Sequence, residues 1–294
     1  MILITGAGGK TGKAVINAVA AKGEAVCAFA HHVDQARALN MVGAQKVFVG
    51  DLRDEAAVRE AMDSVRAVYY ICPNVHSDEV ILAQTAIAAA RDAGVAHFVY
   101  HSVLHPHTSA MSHHWKKLRV EELLFESGLP FTILQPTTYM QNILAGWNKI
   151  VEAGSYPVPY SVNTRISLID LDDVAAAAAN VLSELGHTRA IYELAGTRAL
   201  AQTEVAEILS TKLDRPVQAE TEPIDEWEKR ARANGLGDYQ IETLTQMFHY
   251  YEQFGMWGNP NVLGWLIRRP PTTFPAFVER VMQERLTARE PVVA

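Results

Sequence analysis

Met1-Ile2-Leu3-Ile4-Thr5-Gly6-Ala7-Gly8-Gly9-Lys10-Thr11-Gly12 opens the chain, and every later segment is read against it. An apolar run stops at Thr5, and four glycines follow within seven positions. Ala14, Val15, Ile16, Ala18, Val19 and Ala20 then continue in helix-compatible residues. That order is strand, glycine turn, helix, the context in which a dinucleotide fingerprint carries meaning. Gly6 allows the tight turn, Gly9 lets backbone approach a pyrophosphate, and Gly12 lets the helix pack close to the strand. The helix N-terminus offers its N–H groups to the phosphates.

Length and composition bound the rest. At 294 residues there is room for a full doubly wound domain plus additional segments. A hydrophobic fraction of 49% and an aromatic fraction of 8% suit a soluble protein with a large core. The net charge of −7 argues against nucleic acid or an anionic membrane as a bulk partner. The two cysteines, Cys27 and Cys72, both lie in apolar runs that read as buried strands, so no disulfide framework is expected. No basic leader precedes the first strand, and no run of about 20 uncharged apolar residues occurs. A soluble, cytoplasmic protein is expected, as a monomer or homodimer.

Strands and helices alternate through the first half. Glu24 to Ala30 is the second strand, ending at His31-His32, where dinucleotide sites choose their cofactor. An acidic residue there bonds the ribose hydroxyls of NAD, and an arginine accommodates the 2′-phosphate of NADP. His31 occupies the selector position, with Arg37 further on and no carboxylate at the tip to repel a phosphate. NADP(H) is therefore favoured, with NAD(H) the alternative. A third strand, Lys46 to Val49, runs into Gly50-Asp51-Leu52-Arg53-Asp54. There Asp51 is placed to accept the adenine amino group, and Leu52 to pack on the ring. A fourth strand ends in Cys72-Pro73, a fifth in Ser102-Val103, and a sixth, Phe131 to Gln135, in Pro136. This alternation predicts an α/β fold, a doubly wound, mostly parallel Rossmann sheet, with ligands beyond the carboxyl ends of its strands.

The second half is expected to be a smaller, mainly helical C-terminal substrate lobe. The division falls into a dinucleotide-binding domain over 1–139 and a lobe over 140–294, with sheet elements returning near 165–196. Asp170, Asp172 and Asp173 precede an alanine-rich helix and read as capping and helix-dipole residues, not as a metal site. Aromatic positions from Trp227 to Trp265 suit either a core or a hydrophobic substrate pocket.

The chemistry converges on Ser102, His113 and Lys117. Ser102 ends the fifth strand, where a nicotinamide would lie. His113 and Lys117 are four apart on a helix and share one face. A lysine can hold the nicotinamide ribose, and a histidine near its ordinary pKa of about 6.5 can supply a proton at neutral pH. Lys116 competes with Lys117 on composition alone. Six of the eleven histidines fall between His97 and His114. With no carboxylate or cysteine among them at a recurring ligand spacing, they read as a polar active-site rim, not a metal centre.

Ile4 to Gly12, Gly50-Asp51-Leu52, Lys117-Leu118-Arg119-Val120-Glu121 and Ser127 to Pro136 occur in the order seen in atypical short-chain dehydrogenases/reductases. Within that superfamily the chain resembles the NmrA-like group. Asn259 to Leu266 and Arg269 to Phe274 are similar to C-terminal segments of its bacterial members. The resemblance implies that Gly6, Gly8, Gly9, Lys10, Thr11 and Gly12 wrap the pyrophosphate, and that His31 replaces a frequent 2′-phosphate arginine. It places Asp51 and Leu52 at adenine, Cys72 and Pro73 at the ribose, and Gln135, Pro136 and Thr138 towards the nicotinamide. Lys117 matches the lysine of a Tyr-x-x-x-Lys pair, but His113 stands at the tyrosine position. Tyr139 and Asn142 would line the cleft, with Tyr139 an alternative proton donor. The expected function is an NAD(P)H-dependent reductase of a small, hydrophobic or aromatic carbonyl, quinone, azo or conjugated-alkene acceptor. The alternative from another class is a catalytically silent NADP(H) sensor acting through a protein partner.

Overall fold

The computed structural model describes residues 1–287, so residues 288–294 of the expected lobe lie outside it. In chain order the first elements are β1 (Ile2–Ile4), α1 (Lys10–Ala21), β2 (Val26–Ala30), α2 (Gln35–Met41), β3 (Lys46–Val49) and α3 (Glu55–Met62). Next come β4 (Ala67–Tyr70), α4 (Glu79–Asp92), β5 (His97–His101), α5 (Ser112–Glu126), β6 (Phe131–Pro136) and β7 (Thr138–Tyr139). A 3₁₀ segment (Met140–Gly146) leads to α6 (Trp147–Ala153), β8 (Ser155–Val158), β9 (Arg165–Ile166), β10 (Leu168–Ile169) and α7 (Leu171–Ser183). The remainder is β11 (Ala190–Leu194), β12 (Leu200–Ala201), α8 (Gln202–Leu213), β13 (Gln218–Thr221), α9 (Ile224–Ala233), α10 (Asp238–Phe254), α11 (Pro260–Ile267) and α12 (Phe274–Thr287).

Two compact units divide these elements. The first comprises Met1–Pro136, Leu171–Leu194 and Asn261–Arg268. Its sheet has seven strands in the order β11-β6-β5-β4-β1-β2-β3, and every neighbouring pair is parallel. Strands buried on both faces carry continuous apolar runs, as β1, β2 and β4 do. Leu3, Phe29, Val68, Tyr70, Phe98, Tyr100 and Ile133 point to one face, into a core shared with Val58, Leu82, Ala86, Val120 and Leu124 of α3, α4 and α5. On α1, Gly12, Val15, Ile16 and Val19 are buried against α7, whose alanines at 175, 177, 178 and 179 allow a close approach. Tyr69, Tyr70, Phe98 and Tyr100 are fully buried, each contributing about 1.5–3 kcal/mol of hydrophobic stabilisation.

The strand order reverses between β1 and β4, the topological switch point where such sheets open a ligand crevice. Thr5 closes the floor of that crevice. Its hydroxyl donates to the Ile71 carbonyl at 2.9 Å and accepts from the Ile71 N–H at 2.8 Å, joining the ends of the two strands.

The second unit comprises Thr137–Asp170, Ala195–Pro260 and the described chain from Arg269. Its helices are accompanied by three two-stranded sheets: β7 with β10 (parallel), β8 with β13 (parallel) and β9 with β12 (antiparallel). Trp227 packs edge-on against Phe248 at 4.8 Å, in a small core with Ala231 and Ile241. Asp170 directly precedes α7, and its carboxylate also has partners far along the chain. It is completely buried, and it accepts both a forked contact from Arg280 at 2.8 and 2.9 Å and a hydrogen bond from Gln141 at 2.7 Å. A buried carboxylate needs such partners.

Candidate active site

The glycine loop leaves β1 at the switch point. Gly6 turns with φ of +58°, a conformation that side-chain-bearing residues rarely adopt. A Cβ on Gly12 would meet the Gly6 carbonyl and stand 2.6 Å from the Ala7 Cα, so the first turn of α1 packs on the loop only because Gly12 has no side chain. Gly9 is the N-cap and brings no side-chain cap, so the backbone N–H groups of Thr11 and Gly12 have no acceptor within the helix. This uncapped, side-chain-free cradle fits a dinucleotide pyrophosphate. Gln35, at the start of α2, lies against Gly8, and its buried Oε1 has no hydrogen-bond partner among the described residues. An acceptor of that kind suits a ribose hydroxyl.

At the ends of β2 and β3, His31 and His32 are exposed and stack edge-on at 4.4 Å. Asp51 is held by Arg53, whose Nε lies 3.1 Å from both carboxylate oxygens and whose terminal nitrogen lies 2.6 Å from Oδ2. The Arg53 side chain and N–H hold the Asp51 carboxyl down to about 2. Leu52 is buried in the core under β2 and α3, which leaves little of it for a ring to pack on.

The third part is a stripe on α5. His113, Lys117 and Glu121 are four residues apart and therefore share a face. Lys117 and Lys116 separate cleanly here. Lys116 reaches outward to the Ser77 carbonyl at 2.8 Å, whereas Lys117 is buried. The Lys117 ammonium donates to Glu79 Oε1 at 2.6 Å and to the His101 carbonyl at 3.3 Å, and it stands 5.3 Å from the centre of the Tyr100 ring. Glu79, the first residue of α4, has no exposed surface and also accepts from the Tyr100 hydroxyl at 3.0 Å. Its other oxygen has no hydrogen bond among the described residues, with His113 Nδ1 3.7 Å away. Beyond Lys117, Ser102 Oγ donates to Glu121 Oε1 at 2.5 Å, and Gln135 Nε2 donates to both Glu121 oxygens at 2.9 and 3.1 Å.

These positions change the expected chemistry of two groups. Burial, reinforced by Lys117 and Lys116, pushes the His113 imidazole down to about 3. The proton donor expected near neutral pH is therefore a neutral ring there, because its environment is too dry for the imidazolium. Burial, with Glu79 adding, pushes the Cys72 thiol up to about 12, so this sulfur lines the site as a protonated, unreactive group.

The six clustered histidines do not all lie at the carboxyl end of the sheet. His97, at the amino end of β5, bonds Thr132 at 2.8 Å. His101 is buried against the Tyr69 hydroxyl at 2.7 Å, and His114 is buried with Nδ1 donating to the His105 carbonyl at 3.2 Å. His97 and His101 share one face of β5 but lie at its opposite ends, and His113 and His114 belong to α5.

Gly6 to Gly12, Cys72, Ser102, Lys117, Gln135 and Pro136 thus all lie in the first unit, at strand ends or on the neighbouring helices, together with the exposed Pro73. Thr138 and Tyr139 form β7 of the second unit, and Asn142 is exposed in the 3₁₀ segment that follows. Sequence reasoning missed Glu79, Gln35 and Arg53, and named Glu121 only within a motif. Glu79 had the local appearance of an acidic first-turn residue, and its partner lies 38 positions away.

Comparison with known proteins follows the same lines. The NmrA-like family model matches residues 1–287. The chain is 28% identical over 281 residues to an NAD(P)H azoreductase of Xenophilus azovorans, covering 95% of this chain and 97% of that protein. It is 29% identical over 283 residues to quinone oxidoreductase 2 of Escherichia coli (strain K12), covering 96% and 98% respectively. Among solved structures, an NADPH-dependent quinone oxidoreductase from Escherichia coli complexed with NADPH matches with a TM-score of 0.85 and 29% identity, over 96% of this chain and all of that one.

Proposed function

This chain belongs to the NmrA-like family, and on that premise we propose that it is an NAD(P)H-dependent reductase of small aromatic acceptors such as quinones and azo compounds. The observation that carries the reading is one sheet edge that joins a side-chain-free phosphate cradle to a buried Lys117–Glu79 pair and a Ser102–Glu121–Gln135 network. Azoreductase and quinone oxidoreductase activities in relatives matched along nearly their full length support the same reaction class.

In this reading Gly6, Gly8, Gly9, Lys10, Thr11 and Gly12 hold the pyrophosphate, and His31 receives the 2′-phosphate of NADP(H), the favoured cofactor. Asp51 faces the adenine amino group, with Arg53 fixing the carboxylate in place and Leu52 supporting it from the core. Cys72 and Pro73 line the ribose, and Gln135 and Pro136 stand towards the nicotinamide. When bound, the cofactor supplies a hydride. Lys117 offers a fixed positive charge to the nicotinamide ribose. Glu79 and the His101 carbonyl hold that ammonium in place, and a preorganised charge loses less on binding than a mobile one. The net charge of −7 and the two buried free cysteines keep our reading cytoplasmic and without a nucleic-acid partner. Among the described residues, no helix is long and apolar enough to cross a membrane.

Mixing the purified protein with NADPH and a panel of quinones, azo dyes and enones tests the reading. The nicotinamide absorbance should fall with at least one acceptor, and faster with NADPH than with NADH. Tight NADPH binding with no acceptor-driven oxidation overturns the reductase in favour of a cofactor sensor. A preference for NADH removes the 2′-phosphate role from His31.

A further inference from the structure

Reducing a quinone, azo or carbonyl group takes a proton as well as a hydride, and a positioned group has to hold it. The groups first in line do not hold one that they can give up near neutral pH. The His113 ring is neutral at neutral pH, and the Cys72 thiol keeps its proton. What the carboxyl ends of β5 and β6 contain is a closed polar network. Ser102 Oγ is 2.5 Å from Glu121 Oε1, and Gln135 Nε2 is 2.9 Å from the same oxygen. Ser102, Glu121 and Gln135 are 2%, 4% and 6% exposed, so all three are shielded from bulk water.

From this geometry we infer that Glu121 is the proton reservoir of the site and exchanges its proton through the Ser102 hydroxyl. The inference rests on the reductase reading above. Ser102 is the group that touches the acceptor. Glu121 acts through it and is a positioning residue.

The O–H bond of the Glu121 carboxylic acid breaks and its proton passes to Ser102 Oγ. The O–H bond that Ser102 already carried breaks in turn, and that proton forms a new bond to the acceptor oxygen or nitrogen that has gained the electron pair. The dinucleotide is the reductant. Ser102 ends with one O–H bond, as it began. Glu121 ends as a carboxylate that accepts from Ser102 and Gln135, the arrangement the structure displays, and water later restores its proton.

Burial and charge balance together favour the protonated form of this carboxyl relative to an ordinary one. The Lys117 ammonium one turn back on α5 bonds Glu79, so it is committed to a different carboxylate. Burial raises the proton affinity of Glu121. Donors from Ser102 on β5 and Gln135 on β6, with the charges of Lys117 and of His107 in the segment after β5, oppose that rise without cancelling it.

Infrared difference spectra of the cofactor-free protein, wild type minus Glu121→Gln, test the inference directly. The expected result is a carboxylic-acid carbonyl band that the variant lacks and that titrates above the usual carboxylate range. In turnover with a quinone, wild-type kcat should fall as pH rises through that same midpoint. Glu121→Gln should lower kcat about 100-fold and abolish this limb, leaving the NADPH Kd unchanged. Glu121→Asp should restore part of the rate, with a displaced limb. Should Glu121→Gln not fold, Ser102→Ala retains the carboxyl, so the band should remain in the wild type and in this variant while the limb disappears. An ionised Glu121 throughout the active pH range overturns the inference, as does an unchanged pH limb in either variant. A wild type that binds NADPH but reduces nothing removes the reductase reading, and the infrared titration still decides the protonation of Glu121 separately.

Discussion

The glycine loop after β1 and the inner face of α5 serve the same sheet edge with different materials. The loop is made of backbone: Gly6 at positive φ, Gly12 pressed on Ala7, Gly9 opening α1 with no side chain to cap it. The α5 face is made of charged and polar side chains, buried and mutually bonded: Lys117 on Glu79, Ser102 and Gln135 on Glu121. A backbone cradle fails when an atom is added. A buried ionic network fails when a partner is removed, because the remaining charge is left without compensation. Cofactor binding and proton handling therefore have different points of failure.

The largest expected effect breaks the ionic side. Lys117→Met strands the Glu79 carboxylate in a site with no exposed surface, and should cost about 3–5 kcal/mol in urea unfolding along with most of the turnover. Adding Glu79→Gln to that variant should recover part of the stability. A double variant no more stable than the single one would show that the two residues are not coupled.

The cradle comes next. Gly12→Ala should cost about 1–3 kcal/mol and weaken NADPH binding, because the atoms a Cβ would strike are backbone. Gly8→Ala strikes only the Gln35 side chain, which can swing away, so its effect on calorimetric stability should be clearly smaller. Equal losses at the two glycines would refute the distinction.

A third effect follows from the dry environment of the α5 edge. His113, His114 and His101 are each held at about 3, below the ordinary histidine value of about 6.5. Between those values the unfolded chain binds protons that the folded chain refuses. The stabilisation is thus fully present above about 6.5 and is lost as pH falls towards 3. Thermal unfolding should show Tm declining through that window, and His113→Asn should flatten the decline. NMR titration showing His113 charged at pH 6 would remove the basis of this prediction.

The smallest effect belongs to the exposed adenine end. Arg53→Ala should let the Asp51 carboxyl rise from about 2 towards its ordinary value, as read by carbon-detected NMR. The folded-state value is depressed, so the associated stability is present above the unfolded value and is lost only as pH falls towards 2. Near neutral pH the Tm should hardly move, because exposed pairs contribute little.

Legibility in the sequence divides along the same line. The strand, glycine turn and helix were readable from Met1 to Gly12, and the alternation to Pro136 predicted a parallel sheet, because local periodicity and glycine placement carry that information. The i, i+4 spacing put His113 and Lys117 on one face, and the structure shows that face turned inward. Local pattern placed Asp170 directly before a helix but could not show its pairing with Arg280, 110 positions away. It misjudged the histidines, because an imidazole's charge depends on dryness and neighbours that no local window contains.

By itself, then, the sequence determined the strand order's raw material, the phosphate cradle and the residue types on α5, since each depends on neighbours within a few positions. Only the tertiary structure decided that Lys117 is locked to Glu79, that His113 is uncharged and that Glu121 closes on Ser102 and Gln135. Those outcomes arise from packing α4 and α5 against the sheet, which removes water from groups 14 to 38 positions apart and leaves them only one another as partners.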